Sequence, residues 1–441
     1  MSSRTVKWLL VASILLLAFP VAAGASTSRL AGMGVQGDYV KDYTNVFTYV
    51  SSMCCVGNVV YGELGVVTDY DDNYSEYFNT EDRAVGAILG NLWDGRFGVI
   101  GFHMREYSPA LGTNSQPYVP YAGYLDEFIL GTGFETFMPY LDPNVPYYTG
   151  YTPYWMGYGV EQFDLMWAKK FGSMSLGLRF NRSNYKWEDD DEVYEGFDET
   201  DRNVMGFGGG FGFEMSPTAV AEFGLLYQSR TFNYEYSGGD VYESDGGGSY
   251  LASGRLMWQW QPDVMVVPVL RYYSFDPSEK YTPEGGEAEE YEHSLKGWQV
   301  GVAGNWALNQ NDLFVAGVTF AQNKYTDDYN EYEYTESLMP TMFASLETRV
   351  KPWLTLRFGG RKGVFYSTKY EQTDPELEEP YEQTQNWSPF QFFMGAGVKL
   401  GTLQLDGVLA QDFFHNPATY LTQHDDSYTP LFPKVTATYT F

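Results

Sequence analysis

Hydrophobic and polar residues alternate along this chain with the period of a β-strand, over many short stretches. At the end of the chain Val435, Ala437, Tyr439 and Phe441 would share one strand face, and three Thr residues would share the other. The pattern predicts sixteen strands, over 56–68, 83–92, 96–104, 158–170, 173–187, 202–215, 218–234, 249–260, 264–275, 293–308, 312–326, 338–350, 353–367, 389–400, 403–413 and 431–441. An even number of alternating strands predicts an all-β, transmembrane, antiparallel up-and-down β-barrel with lipid on its outer face.

The links between these strands alternate between long and short. Most of the 57 Asp and Glu residues lie in six long segments, 69–82, 188–201, 235–248, 276–292, 327–337 and 371–382. The other links are tight turns, such as 171–172, 351–352 and 401–402. Long extracellular loops and short periplasmic turns are typical of outer-membrane barrels. The terminal aromatic residue likewise resembles the closing strand of bacterial outer-membrane barrels, whereas a soluble β-sandwich would not explain the regular alternation of links.

The start of the chain predicts export. Arg4 and Lys7 precede an apolar run, and Ala23-Gly24-Ala25 is a small-residue cleavage site. The apolar run is shorter than the roughly 20 residues that a membrane-spanning helix needs. The predicted organisation is a cleaved signal peptide at 1–25, an N-terminal periplasmic segment or plug at 26–55, and a transmembrane barrel at 56–441. The predicted location is the outer membrane of a Gram-negative bacterium.

The composition fits a barrel and excludes one class of partner. Aromatic residues make up 18% of the chain, with 38 Tyr, although only 44% of residues are hydrophobic. In a membrane barrel only alternate residues face lipid, and aromatic residues gather at the two interfaces. The formal net charge of −30 excludes nucleic acid as a partner, because phosphate binding needs a basic surface. The acidic loops are expected to be solvated, or to gather divalent cations that bridge to lipopolysaccharide, but no ligand spacing assigns a metal site.

Charges of both signs fall on the inward face of the predicted strands. Each would cost about 2–4 kcal/mol on the lipid face near the middle of the bilayer. The predicted pore-lining residues are Glu63, Asp164, Arg179, Glu222, Arg255, Glu347, Arg349, Arg357, Lys399 and Asp406. Sixteen strands enclose a lumen wider than side chains fill, so these residues are expected to line a water-filled path with a modest preference for cations. The alternative is that they pair along the wall and only stiffen it.

The N-terminal segment carries one family resemblance. Residues 29–34, R-L-A-G-M-G, followed by Asp38, Asp42, Asn45 and Phe47, resemble the pattern near the start of fatty-acid-transporter-like barrels. In that family the N-terminal segment forms a hatch inside a fourteen-stranded barrel, which implies a small plug here, with a flexible or wall-lining tail as the alternative. The resemblance covers only residues 29–47, and the sixteen strands and acidic loops depart from it. A second long segment, 105–157, is either a constriction loop, as in classical porins, or an exterior flap.

The residues that usually carry catalysis are sparse. Cys54 and Cys55 are adjacent, so a structural disulfide between them would be strained; free thiols, a redox-labile bridge or contact with a partner remain open. No C-x-x-C-H motif could attach a haem. The four His residues have no paired ligand spacing, and no nucleophile motif is present. The chain is therefore predicted to be no enzyme and to need no cofactor.

These patterns predict an outer-membrane porin, a passive diffusion channel for small hydrophilic solutes and ions. Two alternatives remain: a fatty-acid-transporter-like barrel for hydrophobic substrates, and the barrel sheath of a porin-cytochrome electron conduit. The expected partners are outer-membrane lipid, lipopolysaccharide and small solutes. A homo-oligomer and a periplasmic or haem-protein partner are left open.

Overall fold

The computed structural model describes residues 26–71, 76–90, 95–109, 161–188, 197–236, 239–245, 248–275, 278–328, 331–372, 381–388, 390–409 and 431–441. The predicted signal peptide at 1–25 and most of the segment 105–157 lie outside these residues. Both interpretations therefore stay predictions.

The described strands form a single antiparallel sheet that closes on itself. They are β1 Val59–Asp71, β2 Glu76–Leu89, β3 Val99–Pro109, β4 Glu161–Phe171, β5 Met174–Glu188, β6 Phe197–Ser216, β7 Ala219–Tyr236, β8 Val241–Ser244, β9 Ser249–Gln261, β10 Val264–Phe275, β11 Glu279–Thr282, β12 Glu289–Tyr291, β13 His293–Ala307, β14 Asp312–Asp327, β15 Tyr332–Lys351, β16 Leu354–Gly363, β17 Tyr366–Gln372, β18 Tyr381–Trp387, β19 Phe390–Leu400, β20 Leu403–Val408 and β21 Lys434–Thr440. The first strand pairs with both β2 and β21, and this last pairing seals the barrel.

Short strands extend some of the long ones. Segments β8, β12 and β18 precede β9, β13 and β19 along the chain, and β11 and β17 follow β10 and β16, each across a short break. Counted with these extensions, the described strands make a ring of sixteen, which confirms the predicted closed barrel.

The outer face of the barrel is apolar. Leu178, Phe207, Leu225 and Leu270 are each exposed by more than half of their surface, and they point away from the interior. Since a closed sheet satisfies all its backbone hydrogen bonds internally, it can sit in hydrocarbon with this face in contact with lipid. The chain is thus a transmembrane β-barrel. In the described part of the chain no helix is both long and apolar enough to cross a membrane.

The acidic segments predicted as loops are partly strand. Strands β8 and β11 pair within two of them, where the rings of Tyr242 and Tyr281 stack with centroids 4.5 Å apart. Lys280 Nζ lies 2.6 Å from Glu243 Oε1 in the same pair of strands. Cross-strand aromatic and ionic pairs of this kind offset the repulsion between neighbouring carboxylates, so the hydrogen-bonded ladder continues into the acidic segments.

Residues 26–55, which we call the hatch, lie inside the barrel. They form helix α1, Thr27–Met33, and three 3₁₀ helices, Gly37–Tyr39, Tyr43–Phe47 and Val50–Cys55. Helix α1 packs against β16, β19 and β20, whereas the last 3₁₀ helix packs against β4, β5 and β6. These strands stand far apart around the ring, so the hatch spans the bore from one wall to another.

Candidate functional site

The local structure of the hatch is specified by caps. The Ser26 side chain accepts a hydrogen bond from the Arg29 amide at 3.0 Å and begins α1, and Gly34, with φ 62°, ends it. Asp42 Oδ1 accepts from the amide of Thr44 at 3.0 Å and so begins the second 3₁₀ helix. These caps satisfy backbone groups that would otherwise lose their hydrogen bonds in a buried segment.

A chain of buried ion pairs joins the hatch to the wall. Arg29 Nε and Nη2 lie 2.8 and 2.9 Å from the two carboxylate oxygens of Glu347, and Arg29 Nη1 lies 3.1 Å from Asp42. Glu347 also pairs with Arg357 at 2.7 Å, and Arg357 with Asp406 at 2.8 Å. We call these five residues the ion-pair chain. Because buried charges are tolerated only when paired, the chain holds α1 in one position.

Four further arginines on the wall bind the hatch backbone and side chains. Three of them donate hydrogen bonds to hatch carbonyl groups: Arg179 to Phe47 at 2.7 Å, Arg255 to Asp38 at 3.0 Å and Arg361 to Gly34 at 3.2 Å. The fourth, Arg271, forms an ion pair with the Asp38 carboxylate. Arg179 is held in turn by Asp164 at 2.6 Å, and Arg255 by Glu222 at 2.7 Å. The irregular hatch thus obtains from the wall the hydrogen bonds that its own backbone does not make.

Apolar packing fills the space between these polar contacts. One cluster joins hatch residues to β1, β2 and β4, and the other joins them to β10, β13, β14 and β15. The hatch members of the two clusters are Tyr43, Val46, Phe47, Val50 and Met53, and Leu30, Met33, Val35, Tyr39 and Val40. All ten are at most 5% exposed, so the bore at this level is a dry core.

Glycines on the inner wall give the hatch room to approach. At four successive inward positions of β6 the residue is glycine, at 206, 208, 210 and 212. A Cβ on Gly210 would lie 2.7 Å from Val50 N and 2.8 Å from Ser51 N, and one on Gly359 would collide with the Met33 carbonyl. The sequence shows this run as G-F-G-G-G-F-G. Its role as a contact surface for the hatch could not be recognised from the sequence, because the hatch residues that it faces are distant along the chain.

Replacing Gly210 with Ala is expected to loosen the hatch. The added methyl group meets backbone atoms that cannot rotate away, so it should destabilise the docked hatch by about 1–3 kcal/mol. Hydrogen exchange of the peptide covering 48–55 should become faster. The adjacent Gly209→Ala is the matched control, since a Cβ there has nothing within 4 Å. Equal hydrogen-exchange rates in the two variants would show that the close contact at Gly210 does not hold the hatch in place.

The predicted pore-lining residues separate into two groups. Asp164, Arg179, Glu222, Arg255, Glu347, Arg357 and Asp406 pair with one another or with the hatch, and Glu63 is also buried inside the barrel. Arg349 and Lys399 are exposed near the ends of β15 and β19, beside the short turns. The role of all ten as lining of a water-filled path stays a prediction.

Two wall residues of the hatch contacts were not among the predicted site residues, and Asp38 was named only as part of the N-terminal pattern. Arg271 and Arg361 each bind the hatch from the wall, and Asp38 receives two of the wall arginines. A signal for Arg271 was present, because it is the one charge in the apolar strand β10 and alternation places it inside with Val267 and Val269. No local signal could have identified its partner Asp38.

The two cysteines lie at the end of the hatch, near the short turns. Cys54 is half-buried and Cys55 is exposed, and both lie within electrostatic range of Lys170 in β4. Although part of Cys55 is exposed, the atoms packed around its thiol displace water and raise its pKa, and burial together with the neighbouring Cys55 thiol raises the pKa of Cys54 to about 11. Both are thiols at neutral pH, which makes them poor nucleophiles.

Alkylation of these thiols is expected to be slow at pH 7 and to accelerate with pH. Only the thiolate reacts, and a raised pKa lowers the thiolate fraction at every pH below it, so the rate at Cys54 should rise about tenfold per pH unit from 7 to 9. Mass spectrometry of alkylated protein measures this rate, with urea-unfolded protein as the control for an ordinary thiol. If the rate at Cys54 in the folded protein levels off near pH 9, as it should in the unfolded control, the pKa of Cys54 is not raised.

Comparison with known proteins gives fold similarity alone. No family model matches the chain, and no curated protein matches it. The toluene transporter TodX of Pseudomonas putida is 7% identical with a TM-score of 0.36, and the match covers 94% of this chain and 96% of that one. For the toluene transporter TbuX of Ralstonia pickettii the values are 9%, 0.36, 95% and 98%. For a Pseudomonas aeruginosa FadL homologue they are 10%, 0.38, 95% and 98%. These similarities are too low to indicate a function. The function is therefore inferred from the residues inside the barrel.

Proposed function

We propose that this chain is a gated channel of the bacterial outer membrane, which admits small hydrophobic molecules when the hatch moves. The observation that carries the proposal is the hatch itself, which crosses the bore and is buried at most of its residues. Wall residues at its level, such as Arg271, Arg357, Thr436 and Thr438, are at most 1% exposed. Within the described residues the bore at this level therefore has no continuous path for water.

A permanently open porin agrees less well with this arrangement. Passive diffusion of ions and hydrophilic solutes needs an uninterrupted aqueous lumen, and the interior charges that would sort such solutes are already paired. A sheath for a haem protein would need the same volume that the hatch fills. A channel that opens when its hatch shifts requires neither a permanently open aqueous lumen nor space for a haem protein.

The seam between hatch and wall favours a hydrophobic substrate. A small cavity of about 10 Å³, the room of roughly one water molecule, lies along it. The cavity is lined by Phe47, Thr48, Val50, Gly208, Gly224, Leu226 and Leu251, and it also touches Leu225, whose side chain is mostly exposed on the outer face. A passage widened here would offer hydrocarbon and backbone rather than charge, and apolar surface of this kind binds ligands by burial. Transport by this route needs no covalent cofactor.

The outer surface supports the proposed location. Its apolar face suits the hydrocarbon core, and the acidic strands at the other end from the short turns suit a contact with lipopolysaccharide through divalent cations. Outer-membrane lipid and lipopolysaccharide are accordingly the proposed partners.

A locked hatch tests the proposal. Ser28 Oγ on α1 and Thr436 Oγ1 on β21 are 2.7 Å apart, so Ser28→Cys with Thr436→Cys should form a disulfide that ties the hatch to the wall. The background carries Cys54→Ser and Cys55→Ser to prevent mispairing. Cells with the unlocked barrel should take up a hydrophobic aromatic dye, the oxidised lock should abolish uptake, and reductant should restore it. Equal dye uptake with and without the disulfide would refute the gated hydrophobic channel. So would a steady, salt-dependent conductance of the wild-type protein in a planar bilayer.

A further inference from the structure

The ion-pair chain does not balance its own charge. Within the described residues it contains three carboxylates, on Asp42, Glu347 and Asp406, and two guanidinium groups, on Arg29 and Arg357. All five side chains are at most 13% exposed. A buried excess of one negative charge is unfavourable unless a cation compensates it.

The neighbouring strands do not supply the missing charge. Glu63 on β1 faces inward opposite Thr436, and Lys434 lies two residues before Thr436 on the same face of β21. One is an acid and the other a base, so together they leave the sum at minus one. Arg361 on β16 is a further buried cation, but it lies at the opposite end of α1 from Ser26, where it donates to the Gly34 carbonyl. Asp42 and Asp406, at the two ends of the ion-pair chain, each have a single guanidinium partner within it, and Asp406 is the one that lies beside Ser26.

Ser26 stands at this end of the ion-pair chain. Its hydroxyl donates to Asp406 Oδ2 at 3.0 Å, and the residue is fully buried. The other hydrogen bonds that Asp406 receives, at 3.0 Å, come from the neutral amide of Gln404. Ser26 is also the first residue after the predicted signal-peptide cleavage site. Ser26 thus lies beside a carboxylate whose guanidinium partner in the chain, Arg357, is shared with Glu347.

We infer that the α-ammonium group created at Ser26 by removal of the signal peptide is the missing cation, and that it pairs with Asp406. Hydrolysis of the peptide bond between Ala25 and Ser26 consumes one water molecule. The new carboxylate leaves with the signal peptide, and the new amine stays on Ser26, where it takes up a proton at neutral pH. Before cleavage the same nitrogen is an uncharged amide, and the ion-pair chain keeps its excess charge.

Processing therefore completes the hatch. An unprocessed chain cannot seat α1 with its charges balanced, whereas the exported and cleaved chain can. The positive end of the α1 dipole repels an ammonium group at this position. This repulsion comes from a partial charge only, so it is weaker than the attraction by the full negative charge of the Asp406 carboxylate. The pairing stands whether or not the barrel transports hydrophobic molecules, because it rests on the ion-pair chain alone.

The test measures the identity and reactivity of the mature N-terminus. Mass spectrometry of protein purified from the outer membrane should give Ser26 as the first residue. Acetylation near pH 7, where free α-amines react ahead of Lys, should modify the folded protein at least about tenfold more slowly than the denatured protein, which corresponds to one pKa unit of stabilisation. A different first residue, or equal rates in the folded and denatured protein, would overturn the inference.

Two variants separate pairing from simple burial. Asp406→Asn keeps the shape and removes the charge, so acetylation should accelerate. Asp42→Asn breaks the opposite end of the ion-pair chain and leaves Asp406 in place, so it should accelerate acetylation much less. Equal effects of the two would mean that only hatch loosening matters, and would refute the pairing. If Asp406→Asn does not fold, the pH profile of the wild-type protein decides: the midpoint should lie above the ordinary α-amino range of about 7.7–8.0, and a midpoint within it overturns the inference.

Discussion

Deletion of residues 26–55 should convert a barrel that passes no current into one that shows steady, salt-dependent steps in a planar bilayer. A ring of sixteen strands is wider than its own side chains fill, and in this barrel the hatch fills the difference. Without it Arg179, Arg255, Arg271 and Arg357 would face water. The change in conductance is the largest effect expected here, because it replaces a dry core by an aqueous bore.

The deletion needs a proof that the barrel still forms. Far-UV circular dichroism and the heat-dependent shift in gel mobility that is usual for folded barrels provide it. The Gly209→Ala barrel, with its hatch intact, should stay closed and serves as the second control. A folded deletion barrel that passes no current would mean that another part of the chain closes the bore, and it would refute the proposed role of the hatch as a gate.

Replacing Glu347 with Ala should release α1 from the wall. Glu347 stands between Arg29 and Arg357, so its loss leaves two buried guanidinium groups short of a partner. Removing one member of a buried ion pair costs about 3–5 kcal/mol. At about 1.4 kcal/mol per factor of ten, the population of the undocked hatch should rise roughly a hundredfold to a few thousandfold. Hydrogen exchange of the amides in 27–47 measures this rise directly.

The same strand offers a matched control for this change. Glu333, also on β15, pairs with Lys324 at 2.7 Å, but both side chains are more than two-fifths exposed. Exposed pairs contribute about 0–1 kcal/mol, so Glu333→Ala should leave hatch exchange nearly unchanged. If Glu347→Ala also leaves it unchanged, the ion-pair chain does not hold the hatch, and a gate that opens by breaking it is ruled out.

The barrel could be predicted because its signal is local. Alternation needs only the next few residues, so Met174, Leu176 and Leu178 on the outer face and Asp406 on the inner face were identified without any long-range contact. The order of long and short links then gave the antiparallel topology and the number of strands. The prediction failed where charge density outweighed alternation, in the acidic segments that the structure forms partly as β8, β11 and β12.

The state of the bore could not be predicted in the same way. The alternation places Glu347 inside, but its partner Arg29 lies 318 residues earlier in the chain. The sequence therefore supported an open, charged lumen and a closed one equally, and the main prediction took the open form. The resemblance of residues 29–47 to the start of fatty-acid-transporter-like barrels was the one sequence feature that pointed to a plug.

The sequence by itself determined the barrel and its strand number, because alternation with a period of two depends only on neighbouring residues. Only the tertiary structure decided what fills the barrel. Whether an inward arginine meets water or a buried carbonyl depends on the hatch being brought against a wall that is distant in sequence, as with Arg179 and Phe47 or Arg255 and Asp38. Such pairings form only when the barrel closes around the hatch. A pattern in neighbouring residues cannot predict them, because the partners are far apart in the sequence.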